Sequence, residues 1–244
     1  MGRMPETIKF LITVNVLFFL GTLFLQGFSF QLFSLFYFEN PNFKIWQPVT
    51  HMFMHGGMFH ILFNMYALWA FGSPLEMQWG RNRFLFFYFS AGLGAALVHT
   101  LVNYYQVHVA VDAMMALGNS YEAAIQALTT NVYQGPPADE ATKALMASGY
   151  AAFNTPAVGA SGAVYGILVA FGMMYPNVGL MLIFFPVPIK AKYFIPGLIL
   201  LDLFAGITGT SFGIAHWAHI GGAFFGFIMA YYWKKNSFDN HRWN

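Results

Sequence analysis

The sequence contains no cysteine. Disulfides, thiolate metal sites and cysteine nucleophiles are therefore excluded, and redox chemistry says nothing about the compartment. Charge is almost as scarce. Only 8% of the 244 residues are Asp, Glu, Lys or Arg, against about 25% in soluble domains. The formal net charge of +2 is too small to suggest a nucleic-acid partner, and no basic run interleaved with aromatics offers one a surface. There is no HExxH. The histidines at 51, 55 and 60 lack the nearby acid that would complete a hydrolytic zinc site, so no metal is expected. His51 and His55 read instead as local hydrogen-bonding residues. Neither a solenoid-length repeat nor an obvious inverted duplication of the transporter kind is visible. The first apolar run is long and lacks a clear small-residue cleavage site, so it reads as a retained span rather than a signal peptide.

What the sequence has instead is apolar surface: 58% hydrophobic and 20% aromatic residues. That composition specifies a polytopic membrane protein in a lipid bilayer. A span needs about 20 mostly apolar residues, and six stretches qualify, near 8–27, 57–78, 84–105, 157–175, 192–208 and 214–233. The expected fold is an all-α, six-span bundle forming one domain over 1–244. Residues 28–56 are aromatic-rich but broken by Glu39-Asn40-Pro41-Asn42 and Pro48, and read as short elements near the interface. Residues 106–156 interrupt the membrane pattern. They hold Asp112, Glu122, Asp139 and Glu140 against one lysine, and read as an extracytoplasmic insert between the third and fourth spans. Within it, Pro136-Pro137-Ala138-Asp139-Glu140 reads as a helix start, flanked by alanine-rich stretches suited to short amphipathic helices. With the N-terminus inside, the inner loops collect Arg3, Lys9, Arg81, Arg83, Lys190, Lys192, Lys234, Lys235 and Arg242. Only Lys44 and Lys143 fall outside. This positive-inside bias places both termini in the cytoplasm. A bacterial inner membrane is the simplest expectation.

Three polar stretches then fall at similar depth near the outer face. The first is Gly159-Ala160-Ser161-Gly162-Ala163-Val164-Tyr165-Gly166, with Ser161 expected about one turn inside a helix. Taken alone it is a packing motif, because Gly162 and Gly166 have the small-xxx-small spacing that lets helices approach. The second is His60-Ile61-Leu62-Phe63-Asn64, whose two polar residues at i, i+4 share one helix face. It reads equally as an interhelical hydrogen-bond pair or as part of an intramembrane site. The third is Ala218-His219-Ile220-Gly221-Gly222, followed by Gly226. A serine hydroxyl needs a base within hydrogen-bond reach to act as a nucleophile, and histidine suits the task near neutral pH. Gly222 and Gly226 facing Gly162 and Gly166 would bring His219 to Ser161. His216 is the competing base, ranked lower because it precedes the glycine face. His60 and Asn64 can donate to an oxyanion. Asp202, mid-way along the fifth span, has no spacing that links it to His219. It is read as structural and left out of the catalytic set.

Together, and in this order on the second, fourth and sixth spans, these motifs resemble the rhomboid family of intramembrane serine proteases. Trp46-Gln47-Pro48-Val49-Thr50-His51-Met52-Phe53-Met54-His55 resembles the family's lead-in to the second span. The resemblance covers the six-span core and leaves out 106–156. It implies a Ser161–His219 dyad with no required acid and no cofactor. It also implies an oxyanion hole from the Ser161 backbone N–H, His60 and Asn64, with Tyr165 set against the histidine. Gly159, Gly162 and Gly222 support that site. Substrates would be single-pass transmembrane proteins, cut in or just outside the membrane helix after a small residue. Gln47 departs from members that carry arginine after the tryptophan, so contacts of the first loop are expected to differ. The fifth span and the loop before His219 form the expected gate, with Phe194, Phe204 and Phe212 near it. Two readings from other classes compete: a small transporter or channel with a polar midplane site, and a silent binder of membrane proteins. No feature fixes an oligomeric state.

Overall fold

The structure, a computed structural model, describes residues 4–182, 185–210 and 214–236. Arg3, Phe212 and Arg242 lie outside the described residues. The first apolar run forms α1 (Glu6–Phe33), longer than the expected span. Its N-terminus is held by a distant carboxylate. Glu76, 7% exposed, accepts the backbone N–H of Thr7 at 3.0 Å and of Ile8 at 2.9 Å, one on each oxygen. Those N–H groups have no partner within the helix, and the positive end of its dipole favours an anion. Glu76→Ala is expected to cost about 3 kcal/mol, from two charge-assisted bonds. Unfolding in detergent tests this, and a loss below about 0.5 kcal/mol would reject the cap as a stabilising element.

The aromatic-rich stretch after α1 holds the short α2 (Gln47–Thr50) and a 3-10 turn, His51–Phe53. Gln47 is buried and organises this stretch. Its oxygen accepts the N–H of Phe36 at 3.3 Å. Its nitrogen donates to the carbonyls of Gln31, 3.1 Å, and Asn42, 2.9 Å. Leu35 then exchanges two 2.9 Å backbone bonds with Ala157, and Asn40 donates to the carbonyl of Phe153 at 2.8 Å. The first loop is thereby fastened to the segment that leads into Ser161.

α3 (Met58–Trp79) and α4 (Arg81–Ala116) follow, reversed at Gly80, whose φ of +79° few side chains would tolerate. α4 runs past the expected end of the third span. It continues through 106–116, which the hydropathy pattern assigns to the insert. At about 1.5 Å per residue its 36 residues span roughly 54 Å, well beyond a hydrocarbon core of about 30 Å. The extension is helical because Val107, Ala110, Val111 and Met114 form one apolar stripe at 3,4-spacing. Onto it fold α5 (Tyr121–Thr130) and α6 (Glu140–Asn154), burying Ala124, Leu128, Ala152 and Phe153 in a second core beside Tyr37. α6 starts after the double proline, at an Asp139 cap that accepts the Thr142 N–H at 2.8 Å. The Thr142 side chain first, then this backbone N–H and nearby Lys143, hold the Asp139 carboxyl below its ordinary range.

α7 (Ser161–Met174) is apolar but only 14 residues long. The all-α expectation then meets an exception, an antiparallel hairpin of β1 (Gly179–Leu182) and β2 (Phe185–Lys190). Pro186 and Pro188 remove the donors a helix would need there. α8 (Ala191–Thr208) and α9 (His216–Asn236) complete the chain. Among the described residues, the stretch Glu6–Leu25 of α1, the whole of α4 and the whole of α8 are long and apolar enough to cross a membrane. α9 packs against both α7 and α4, which also meet each other at Gly162–Ala95 and Gly166–Ala91. A Cβ at Gly222 would fall on the Gly162 carbonyl, one at Gly226 on the Gly166 backbone, and one at Gly221 on Val98 and the Gly94 carbonyl. The main core gathers Leu68, Phe84, Phe87, Ile167 and Ala170 around these contacts.

Candidate active site

Ser161 is the first residue of α7, not one turn inside it. The reason is Gly159. Its φ of +124° breaks the helical path just upstream, and its N–H is tied to the His51 carbonyl at 2.9 Å. Ala160 caps the helix, and its carbonyl accepts the N–H of Val164. The N–H groups of Ser161, Gly162 and Ala163 are left without helical partners, as at any helix N-terminus. A serine hydroxyl thus stands beside a set of preorganised backbone donors.

The glycine contact one residue further on sets the distance across to α9. His219 Nε2 lies 2.8 Å from Ser161 Oγ. The Tyr165 ring stacks on the His219 ring at 4.1 Å and 15°. His216, the competing base, is buried and bonded elsewhere, so the structure brings His219 and not His216 to the serine.

Asp202, which has no sequence spacing that links it to His219, is buried against that residue. Its Oδ1 lies 3.2 Å from His219 Nδ1 and 2.5 Å from His216 Nδ1, and its Oδ2 accepts the Tyr165 hydroxyl. No local pattern reveals such a meeting, because Asp202 is on α8 and its partners are on α7 and α9. The available signal was chemical: a carboxylate inside an apolar span needs a partner, and the one basic residue of that helix, Lys192, stands ten residues away at its start.

His60 stands on the other side of Gly159. A Cβ added to Gly159 would lie 2.8 Å from His60 Nε2 and 3.4 Å from Ser161 Oγ, so only glycine fits between them. His60 Nδ1 accepts the Gly56 N–H at 3.3 Å. A neutral ring that accepts at Nδ1 carries its proton on Nε2, and Nε2 is the nitrogen turned toward the serine loop. Asn64 is buried, but its side-chain hydrogen bond runs back to the His60 carbonyl at 2.9 Å and not to Ser161. One amide hydrogen remains for another acceptor. His51 and His55 meet backbone carbonyls, of Gln47 at 2.9 Å and Phe53 at 3.3 Å. Of the expected gate residues, Phe194 packs on the main core while Phe204 is 68% exposed.

Fold and site together define a multi-pass helical membrane protein with a hydrogen-bonded serine–histidine pair between its helices. A rhomboid domain model matches residues 42–236, and the chain belongs to the rhomboid family. It is 34% identical over 86 residues to RHOMBOID-like protein 5 of Arabidopsis thaliana, covering 35% of the chain and 28% of that protein. It is 28% identical over 179 residues to the mitochondrial presenilin-associated rhomboid-like protein A of Danio rerio, covering 73% and 35%. With rhomboid protease GluP of Bacillus subtilis it shares 33% identity over 60 residues, covering 25% and 12%. The chain thus spans well under two thirds of these relatives. Several relatives are named as mitochondrial, so the expected bacterial inner membrane gains no support from them.

Proposed function

We propose that this protein is an intramembrane serine endopeptidase that cuts the transmembrane segments of single-pass membrane proteins. The observation that carries the reading is the 2.8 Å bond between His219 Nε2 and Ser161 Oγ. Ser161 Oγ attacks the scissile carbonyl and its proton passes to His219 Nε2. The same proton goes to the leaving amine, which departs to give an acyl-enzyme. Water, deprotonated by His219, then releases the acid. The tetrahedral oxyanion is met by the N–H of Ser161, by His60 Nε2–H and by the free amide hydrogen of Asn64. Every step is carried by side chains and backbone of this chain, with no cofactor.

Depth in the bilayer favours the same reading. α7 has 14 residues, roughly 21 Å against a hydrocarbon core of about 30 Å. With its far end at one interface, Ser161 sits recessed below the other, where water and a membrane helix can both reach it. The topology follows the basic residues: six crossings, both termini cytoplasmic, and α5 and α6 with the end of α4 outside. A peptide bond in a helix is shielded by its own hydrogen bonds, so the substrate must unwind locally. Glycine near the cut makes this easier by about 1 kcal/mol per residue. Replacing such glycines in a single-pass reporter with leucine is expected to slow cleavage about fivefold each, and an unchanged rate would reject local unwinding as a requirement.

Labelling with a fluorophosphonate probe tests the assignment. Wild-type protein in detergent is expected to label at Ser161, and Ser161→Ala and His219→Ala not to label. A folded wild type that resists the probe would favour a transporter or a silent binder. Labelling that survives the loss of His219 would keep the serine and reject the base.

A further inference from the structure

The carboxylate of Asp202 is 6% exposed and touches three donors. Two are histidine Nδ1 atoms, at 3.2 Å on His219 and 2.5 Å on His216, and the third is the Tyr165 hydroxyl. An ionised carboxylate only accepts, so each of these contacts fixes a proton on the partner. At His219 the consequence is specific. With the proton on Nδ1, the lone pair of Nε2 faces Ser161 Oγ, the tautomer a general base needs. Tyr165 stacks on one face of the ring and hands its hydroxyl to the other oxygen of the same carboxylate. The ring is therefore held in plane by one group and in tautomer by another.

We propose that Asp202 is the positioning residue of the site, so that the serine–histidine pair works with it as a set of three, Ser161–His219–Asp202, and not alone. The proposal rests on the reading of Ser161 and His219 given above. When His219 takes the serine proton, the imidazolium faces a full negative charge across 3.2 Å. Asp202 keeps its own charge throughout, and no proton passes to it. Tyr165 shares the task by stacking and by orienting the carboxylate.

The location of Asp202 adds a mechanical consequence. The buried residues of α8 are Ala191, Ile195 and Asp202. The first two lie in its N-terminal half. Around Asp202 the helix presents Leu200, Leu201, Phe204 and Ile207 outward, each more than half exposed. Asp202 is thus the buried tie of the C-terminal half of α8. Displacing that half of α8 would take the carboxylate away from His219.

A merely structural Asp202 would anchor α8 and nothing more, and three readouts separate the two roles. Asp202→Asn preserves volume. It removes the negative charge that faces the imidazolium, and its NH2, a donor, replaces one of the two carboxylate oxygens that only accept. The variant is expected to melt near the wild type yet lose at least about 100-fold in fluorophosphonate labelling rate. On a single-pass reporter the loss falls on kcat, with KM nearly unchanged. The third readout needs no variant: 15N NMR of histidine-labelled wild-type protein is expected to show His219 protonated at Nδ1 and bare at Nε2. The other titratable groups around His219 are Tyr165 on α7, His216 on its own helix, His60 on α3 and His99 on α4. His216→Gln is used to assign its signal apart from that of His219. Folded Asp202→Asn that labels at the wild-type rate would overturn the proposal, and so would a wild-type His219 protonated at Nε2. A wild type that fails to label defeats the protease reading itself, and the two failures remain distinguishable.

Discussion

Alanine at Ser161 and alanine at His219 are each expected to lower the cleavage rate by roughly 10⁴-fold or more, and the double variant by no more than either alone. The physical reason is the bond they share. At 2.8 Å, Ser161 Oγ and His219 Nε2 form one acid–base unit. Without the base the hydroxyl is a poor nucleophile, and without the hydroxyl the base has no proton to take. Independent contributions would multiply, to about 10⁸ if each were worth about 10⁴; a single unit saturates after the first loss. The residual rate reports the oxyanion donors and substrate binding alone. Turnover of a single-pass reporter by the four proteins, each checked by melting, closes the cycle. A double variant another 10³-fold slower than either single would mean that Ser161 and His219 act separately, and the reaction would need a different base.

Those two residues, with His60, were legible because each lies in a local motif: a serine among small residues, and a histidine leading a glycine face. What the motifs do not contain is the third dimension. Asp202 lies 14 residues from His216 and 17 from His219 along the chain, on a helix whose own pattern is plain apolar. Its partnership exists only when α8 packs beside α9. Apolar character starts the helix a turn too early and so sets Ser161 too deep, whereas the backbone start is dictated by the left-handed φ of Gly159. The overrun of α4 is different, since the sequence did carry it. Val107, Ala110, Val111 and Met114 repeat at helical spacing, but mean hydropathy falls there because one face meets α5 and α6 while the other holds His108 and Asp112. Hydropathy measures how much apolar surface a stretch has, and periodicity measures where it points.

Gly222→Val is expected to cost more than 3 kcal/mol, beyond the usual range of about 1–3 for overpacking, and to silence the serine in whatever protein remains folded. A Cβ at this position lands on the carbonyl of Gly162, which is backbone and has no rotamer to escape into. α7 and α9 must therefore separate. Gly162 directly follows Ser161, and Gly222 lies one turn after His219, so the separation is delivered at the reacting pair. A displacement on the order of 1 Å opens the 2.8 Å bond, and misplacement of that size costs about 100-fold in rate. The neighbouring contact gives way as well, because Gly226 meets the Gly166 backbone in the same seam. Gly197→Ala is the matched control. It lies on α8 with no neighbouring element within 4 Å of its added Cβ, so alanine is expected to be neutral or up to about 1 kcal/mol stabilising through helix propensity. Melting and fluorophosphonate labelling of the two variants separate seam from propensity. A Gly222→Val protein that melts and labels like the wild type would show that the glycine seam does not set the distance between Ser161 and His219.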